Sequence, residues 1–485
     1  MAAYPTLLDG MLGASQTTAV PRVVLDALLA PRVPSDPDAS GRAGLAPLGL
    51  RRVEAALVAG GFDPAEVAVV TAETLPRAVG PGTRVVALSS GDPLGLGMNS
   101  NTMTAIAGGR SCTEALFRRL LADARALRRR FPRLRIVVGG PGAWQLTTHD
   151  DARRRLGIDL VLTGYCEGQV ADVFRRLVAG EDVSGLVACA WTGIEHVRPI
   201  RGATVMGIVE TSRGCGLACD FCTLARVPMV HFPAEFIARD VTTNVAAGVR
   251  NVGLISEDFF RYGGPAAKVN PSASIALLKR LREIPGLAML QLDHANVSSV
   301  AGFSDAELVE IHSLLCGGYP RPVWVNLGVE TASGRLLDSL SARAKMRPFD
   351  AASWADACRE QVLRLIKAGF LPMVSLVVGL DGETDEDVAG TRRWVESLSG
   401  ERVLVFPLLL APTEPGRRPV AARDLTAEHW RLIDACYRFN FKWVPHLLWS
   451  EETVARVPLA KRLALAALAR GNALWWKLLL AWRSS

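Results

Sequence analysis

The sequence predicts an α/β protein made of two strand-helix series and a helical end. Three observations carry this. Short apolar strands ending in Gly or Ser alternate with helical stretches over residues 47–190; six more strand candidates joined by helices lie within 200–415; and over 416–485 the alternation stops. Residues 1–46 read as a lead-in, bearing Pro and Gly from Arg32 to Pro47.

In the first series the strands fall at Val67–Thr71, Arg84–Ser90, Arg135–Gly140 and Ile158–Thr163, with helices over Thr113–Phe131 and Gln169–Ala179. This is the pattern of a doubly wound, Rossmann-like parallel sheet, which takes ligands at the carboxyl ends of its strands. Those ends carry Ser89 and Ser90, Gly139 and Gly140, and Gly164 with Glu167 three positions on. Neither a Gly-x-Gly-x-x-Gly fingerprint nor a phosphate loop ending in Gly-Lys-Ser/Thr is present, so dinucleotide and triphosphate readings lose ground. The second series has strands at Val205–Glu210, Asn251–Ile255, Ala288–Leu292, Pro322–Gly328, Pro372–Val378 and Val403–Leu410. It predicts a partial (β/α)6 barrel with its chemistry on the loops that follow the strands.

A chain of 485 residues, 49% hydrophobic and 21% charged, has material for a large core. Its net charge of +7 is modest and no basic stripe interleaved with aromatics occurs, which argues against nucleic acid as a partner. No run of about 18 uncharged apolar residues is found, and the expected location is cytoplasmic. Three of the nine cysteines crowd into one stretch while the others scatter, which is metal usage rather than a disulfide framework.

That stretch, Thr211–Cys222, places Cys215, Cys219 and Cys222 in a compact loop directly after the first strand of the second series. Closely spaced thiolates hold iron-sulfur cubanes, and three ligands leave one iron of a four-iron cluster open to chelate a small molecule. A zinc knuckle would need a fourth ligand. The nearest candidate is His231, nine positions beyond Cys222 and past Pro228.

With Phe221 just before the third cysteine, the segment resembles the radical S-adenosylmethionine superfamily. The resemblance implies a [4Fe-4S] cluster whose open iron binds S-adenosylmethionine, which on reduction yields a 5′-deoxyadenosyl radical. Ser256, Glu257 and Asp258 resemble the segment that helps hold the methionine amino group. Glu330 resembles the ribose-side acidic position, and Gly379, Gly382 and Glu383 the glycine turn near the adenine. The segment Pro47–Leu50, with Gly139-Gly140 and Gly164–Gly168, resembles the cobalamin-binding domain of cobalamin-dependent radical enzymes. By that resemblance Ser89, Ser90, Gly139, Gly140, Gly164 and Glu167 would contact cobalamin. The Asp-x-His-x-x-Gly motif is absent, so cobalt would lack a motif histidine; His149 reads as a solvated loop residue.

Most enzymes of this layout methylate unactivated carbon, which makes a cobalamin-dependent radical methyltransferase the leading expectation. A radical cyclase, rearrangement or oxidative enzyme without methyl transfer, and a non-catalytic iron-sulfur or corrinoid binding protein, are the alternatives. The substrate would be a small molecule, lipid-like or peptide, and the one-electron donor a flavodoxin or ferredoxin.

Between Thr453 and Ser485 every charged residue is basic. On a helical wheel Lys461, Arg462, Arg470, Lys477 and Arg483 take one half, and Ala464, Leu474, Trp475, Leu478 and Trp482 the other. The favoured reading is a helix that caps the barrel with its apolar half as core. The alternative is peripheral contact with the inner face of a membrane.

Overall fold

A computed structural model describes residues 16–19, 37–148, 150–189, 193–318, 323–414, 416–454 and 458–484; His149 and most of the lead-in lie outside them. Four strands, β1 (Val85–Ser89), β2 (Arg135–Gly139), β3 (Leu160–Thr163) and β4 (Gly185–Ala188), form a parallel sheet in sequence order. Because strand side chains alternate, each face of the sheet collects its own core. Val86, Leu88, Ile136 and Val138 pack against Phe117 and Leu121 of the Cys112–Arg130 helix. Val137, Leu160 and Leu162 pack against Ala56 and Leu57 of the Leu48–Ala59 helix and Phe174 of the Val170–Val178 helix. Full burial of one such Leu or Phe stabilises by about 1.5–3 kcal/mol. Helices thus cover both faces, but strand order does not reverse among the described strands.

Two details depart from expectation. Val67–Thr71 is not a strand and makes only one bridge, Arg42 to Val70. The Thr71 and Thr74 hydroxyls accept from each other's backbone N–H at 3.3 and 3.1 Å, curling the chain out of extended geometry. Conversely β4 is a strand that was not expected, a four-residue run, Gly-Leu-Val-Ala, with Leu186 exposed.

Beyond residue 200 come β5 (Val209–Glu210), β6 (Ser212–Arg213), β7 (Val230–His231), β8 (Asn251–Ile255), β9 (Met289–Leu292), β10 (His294–Asn296), β11 (Val323–Glu330), β12 (Phe370–Val378) and β13 (Leu404–Leu409). One parallel sheet runs β5-β8-β9 and another β10-β11-β12-β13. Only Asp293 separates β9 from β10, so the two sheets share one chain segment and give six parallel strand positions in sequence order. No described ladder joins β13 back to β5. The strand expected from Val205 starts late, because Val205–Gly207 is a tight turn with Met206 at φ 58°. The Asn244 carboxamide oxygen, accepting from Thr204 N–H at 2.7 Å, anchors that turn.

The Met98–Ala107 helix joins the two parts: Thr102 Oγ1 accepts from Leu409 N–H at 2.8 Å, and Asn101 Nδ2 donates to Val420 O at 2.9 Å. The end of the chain is two long helices, Ala427–Val454 and Leu459–Ser484. The last helix packs inward through Trp476, stacked on Tyr437 at 5.2 Å, and through Leu480. This corrects the favoured reading of the tail. The buried side chains lie on the half of the wheel that carries the basic residues, while Leu474, Trp475 and Leu478 of the apolar half face outward. No described helix is long and apolar enough to cross a membrane.

Candidate functional site

The cysteine loop leaves β6 at Gly214 and returns through the Thr223–Arg226 turn to β7, which pairs antiparallel with β6. Gly214 has φ 78°, and a Cβ there would stand 2.3 Å from Pro228 O, so only glycine lets the two limbs of the loop meet. Cys215 N–H donates to Val227 O at 2.9 Å and Ala218 N–H to Ala225 O at 2.9 Å. These bonds hold the two limbs of the loop together, and the Cys219 thiol makes only a long contact to Leu217 O at 3.9 Å.

All nine cysteines are free. Burial pushes the Cys219 thiol up to about 12 and raises Cys215 and Cys222, and the three interact electrostatically with one another. Among the described residues no three side chains are drawn into a ready metal-ligating group. The donor set is nonetheless of the iron-sulfur kind, three thiols within eight residues. His231 does not complete a zinc site: its Nε2 lies 3.2 Å from Gly264 O and its ring meets Tyr262 edge-on.

Two cations that the sequence reading missed stand beside the loop. Arg261, buried, donates to Cys215 O at 2.8 Å with the same nitrogen 4.0 Å from Cys215 Sγ. Lys345, also buried, bonds Asn296 Oδ1 at 2.5 Å and Glu330 Oε1 at 2.9 Å. Their charges oppose the rise in the Cys215 thiol and so favour thiolate. Glu330 itself sits at φ 64°, a backbone state uncommon for glutamate and a mark of a constrained site.

The strand-end residues divide by their surroundings. Asp258 is fully buried and accepts from Ser299 Oγ at 2.8 Å and Asn296 Nδ2 at 3.2 Å, while Ser256 Oγ meets Ser212 Oγ at 2.5 Å. Glu257 is accessible, yet burial among protein groups raises its carboxyl against the pull of His294. His294 shares that setting. Its Nδ1 lies 3.0 Å from Asp293 Oδ2, and Asp293 Oδ1 in turn accepts from Asn326 Nδ2 at 3.0 Å.

Burial disfavours the charged His294 ring, but the Asp293 bond and the charges of Asp293, Glu257 and Glu330 outweigh it and push its pKa up to about 9. A histidine raised above its ordinary 6.5 adds stability below that value and loses it as pH rises through about 9. His294→Asn should therefore melt lower than wild type at about pH 6 and alike at about pH 10. Since nearly half the side chain is accessible, the difference should stay under about 1 kcal/mol.

Gly379 and Glu383 close on themselves: Glu383 Oε2 accepts from Gly379 N–H at 2.6 Å and lies 3.0 Å from His429 Nε2. The Glu383 carboxylate is thus held by its own turn and by the penultimate helix, while Gly382 has open space around it. Phe221 packs into the core beside the loop.

At the ends of the first sheet, Ser89, Ser90, Gly139 and Gly140 come together. Ser90 N–H donates to Gly139 O at 3.2 Å, and a Cβ on Gly140 would stand 2.5 Å from Ser89 Oγ. Gly164 closes equally tightly on Cys189 O. From the next loop, Glu167 reaches Arg213 of β6 at 2.6 Å, and the Arg213 guanidinium lies 4.4 Å over the Tyr165 ring. Arg213 continues to Glu210 at 2.8 Å, Glu210 to Arg52 at 3.2 Å, and Arg52 to Asp240 at 2.6 Å. This buried chain of alternating charge ties the end of the first sheet to the cysteine segment. Within it Glu167 Oε2 and Arg213 Nη1 have no hydrogen-bond partner.

No family model matches the sequence. A tRNA-2-methylthio-N(6)-dimethylallyladenosine synthase of Agrobacterium fabrum is 25% identical over 292 residues, 58% of this chain and 61% of that protein. One of Acidithiobacillus ferrooxidans is 28% identical over 221 residues, 45% and 46% of the two chains. The chain thus spans less than two thirds of the curated relatives it matches. Among solved structures, the radical S-adenosylmethionine methyltransferase TsrM of Kitasatospora setae, with tryptophan and a SAM analogue bound, is 16% identical. It superposes at a TM-score of 0.54 over 76% of this chain and 72% of that one. The same enzyme with cobalamin and a [4Fe-4S] cluster bound gives 0.53. In its mixed α/β fold of parallel sheets the chain is similar to this cobalamin-binding radical S-adenosylmethionine methyltransferase.

Proposed function

We propose that the chain is a cobalamin-dependent radical S-adenosylmethionine methyltransferase acting on an unactivated carbon, with residues 47–190 as its cobalamin domain and 200–415 as a partial radical barrel. The observation that carries this reading is the Glu167–Arg213 pair, which sets the loop expected to meet cobalamin against the strand that leads into the cysteine loop. When bound, the cluster, S-adenosylmethionine and cobalamin would supply the radical and the transferable methyl.

The protein's share is to hold and orient. Cys215, Cys219 and Cys222 are the cluster ligands in this reading, with Arg261 and Lys345 supplying positive charge beside them. Glu330 offers a polar contact on the ribose side, Asp258 and Asn296 brace the strand ends behind it through their mutual bond and the bond to Lys345, and the Gly379–Gly382 turn gives backbone to the adenine. Glu257 and His294, accessible side chains whose charges attract each other, would face substrate.

A second reading, thiomethylation of a tRNA nucleoside, is favoured by the names of the sequence relatives. Anaerobic reconstitution with hydroxocobalamin separates the two. About four irons and one corrinoid per chain, with label from the S-adenosylmethionine methyl appearing on a carbon of tryptophan or another small molecule, is the expected result. Iron without corrinoid, with label recovered on sulfur in tRNA, would replace it with the second reading.

A further inference from the structure

We propose that the outward face of the last helix is a docking surface for an anionic lipid bilayer. The proposal is independent of the reaction assigned above. Ten large apolar side chains of the described residues are exposed, and five of them, Leu459, Leu463, Leu474, Trp475 and Leu478, lie on this helix, at 40–64% exposure. Trp449, on the preceding helix, is a sixth.

Their placement is not random. At about 100° per residue the five fall within one half of the wheel, and Trp476 and Leu480, the side chains that anchor the helix to the fold, fall in the other. The helix is therefore already partnered on one face and still presents large apolar side chains near both of its ends on the other. Exposed apolar residues in ones and twos are ordinary, but a stripe along a single helix marks an interaction surface.

The occupant follows from charge. Exposed Arg470 and Lys477 lie at the edge of the leucine stripe, Lys461 is exposed farther round, and Arg462 covers the Trp449 ring at 4.1 Å. No acidic residue occurs from Thr453 to the end of the sequence. Leucines flanked by lysine and arginine, with tryptophans near the boundary, match the interface of a membrane whose headgroups are negative. A helix docking a protein groove, or a second copy of this chain, would have no need of unbalanced positive charge at the rim of its apolar stripe.

The test is co-sedimentation of the full chain with vesicles of phosphatidylglycerol and phosphatidylcholine in equal parts, against phosphatidylcholine alone. Binding to the anionic vesicles and little to the neutral ones is expected, weakening as salt is raised. Leu474→Glu with Leu478→Glu should lower the bound fraction by about tenfold. Arg470→Glu with Lys477→Glu should remove the preference for anionic lipid. Unchanged circular dichroism and melting of both variants would show that only the surface was altered. Failure of the wild type to bind, or equal binding by the leucine variant, would overturn the proposal. A wild-type dimer in sedimentation velocity that the leucine variant dissolves would assign the face to a second copy instead.

Discussion

Replacing any one of Cys215, Cys219 and Cys222 with alanine is expected to remove iron from about four atoms per chain to near none, and S-adenosylmethionine cleavage with it. The effect is large because the loop has no substitute donor: His231 is turned to Gly264, and no other described cysteine belongs to it. Burial keeps these thiols protonated when free, with Cys219 pushed up to about 12, so iron must displace their protons, and bonds from two thiolates offset that cost less fully than bonds from three. The control is Cys166→Ala and Cys189→Ala. These thiols lie at the ends of β3 and β4, and burial also pushes Cys166 up to about 12. Full iron in these two and none in the loop variants is the expected pattern, read by iron and sulfide assay. Iron retained in a loop variant would mean that a different donor set holds the metal.

The largest loss of stability is expected from Arg52→Met. This side chain is almost fully buried and neutralises two carboxylates, and removing one member of a buried pair costs about 3–5 kcal/mol because the partner charge stays behind. Burial alone would raise the Glu210 carboxyl, but the charges and hydrogen bonds of Arg213 and then Arg52 hold it below the usual carboxylate range. Burial outweighs Arg52 at Asp240, whose carboxyl is raised. Asp240 should therefore accept neutrality more easily, and adding Asp240→Asn to Arg52→Met should recover part of the loss. Glu210, held low, contributes stability that is present above pH 4.5 and falls away as pH drops through its folded value. Urea unfolding of the single and double variants measures both effects. Additive losses would show that the two side chains do not act as a pair.

Local chemistry made the cysteine loop legible in the sequence, since the three thiols are close in the chain and need no distant partner to be recognised. The six parallel strand positions were legible for the same reason, each being a short apolar run bounded by glycine or a helix. What escaped were side chains whose meaning depends on approach across the fold. Lys345 and Arg261 are isolated basic residues in sequence, and only the packing of β8, β10 and β11 brings them to the cysteines. Glu383, read only as part of the glycine turn near the adenine, is held by that turn's own Gly379 N–H and by His429 from the penultimate helix, a partner 46 positions away that no local pattern announces. The last helix was misjudged because hydrophobicity alone does not say which face meets the core. Trp476 and Leu480, on the basic half, found Tyr437 and the core first.

The single residue Asp293, which parts β9 from β10, has a role in how this scaffold could diversify. A side chain at a break between two ladders is not bound to the alternation of a continuous strand, so its neighbours can change without shifting the register of either sheet. His294 beside it opens β10 and is held in register by Asn326 of β11, so its ring stands where the two sheets join, on a backbone that β11 fixes.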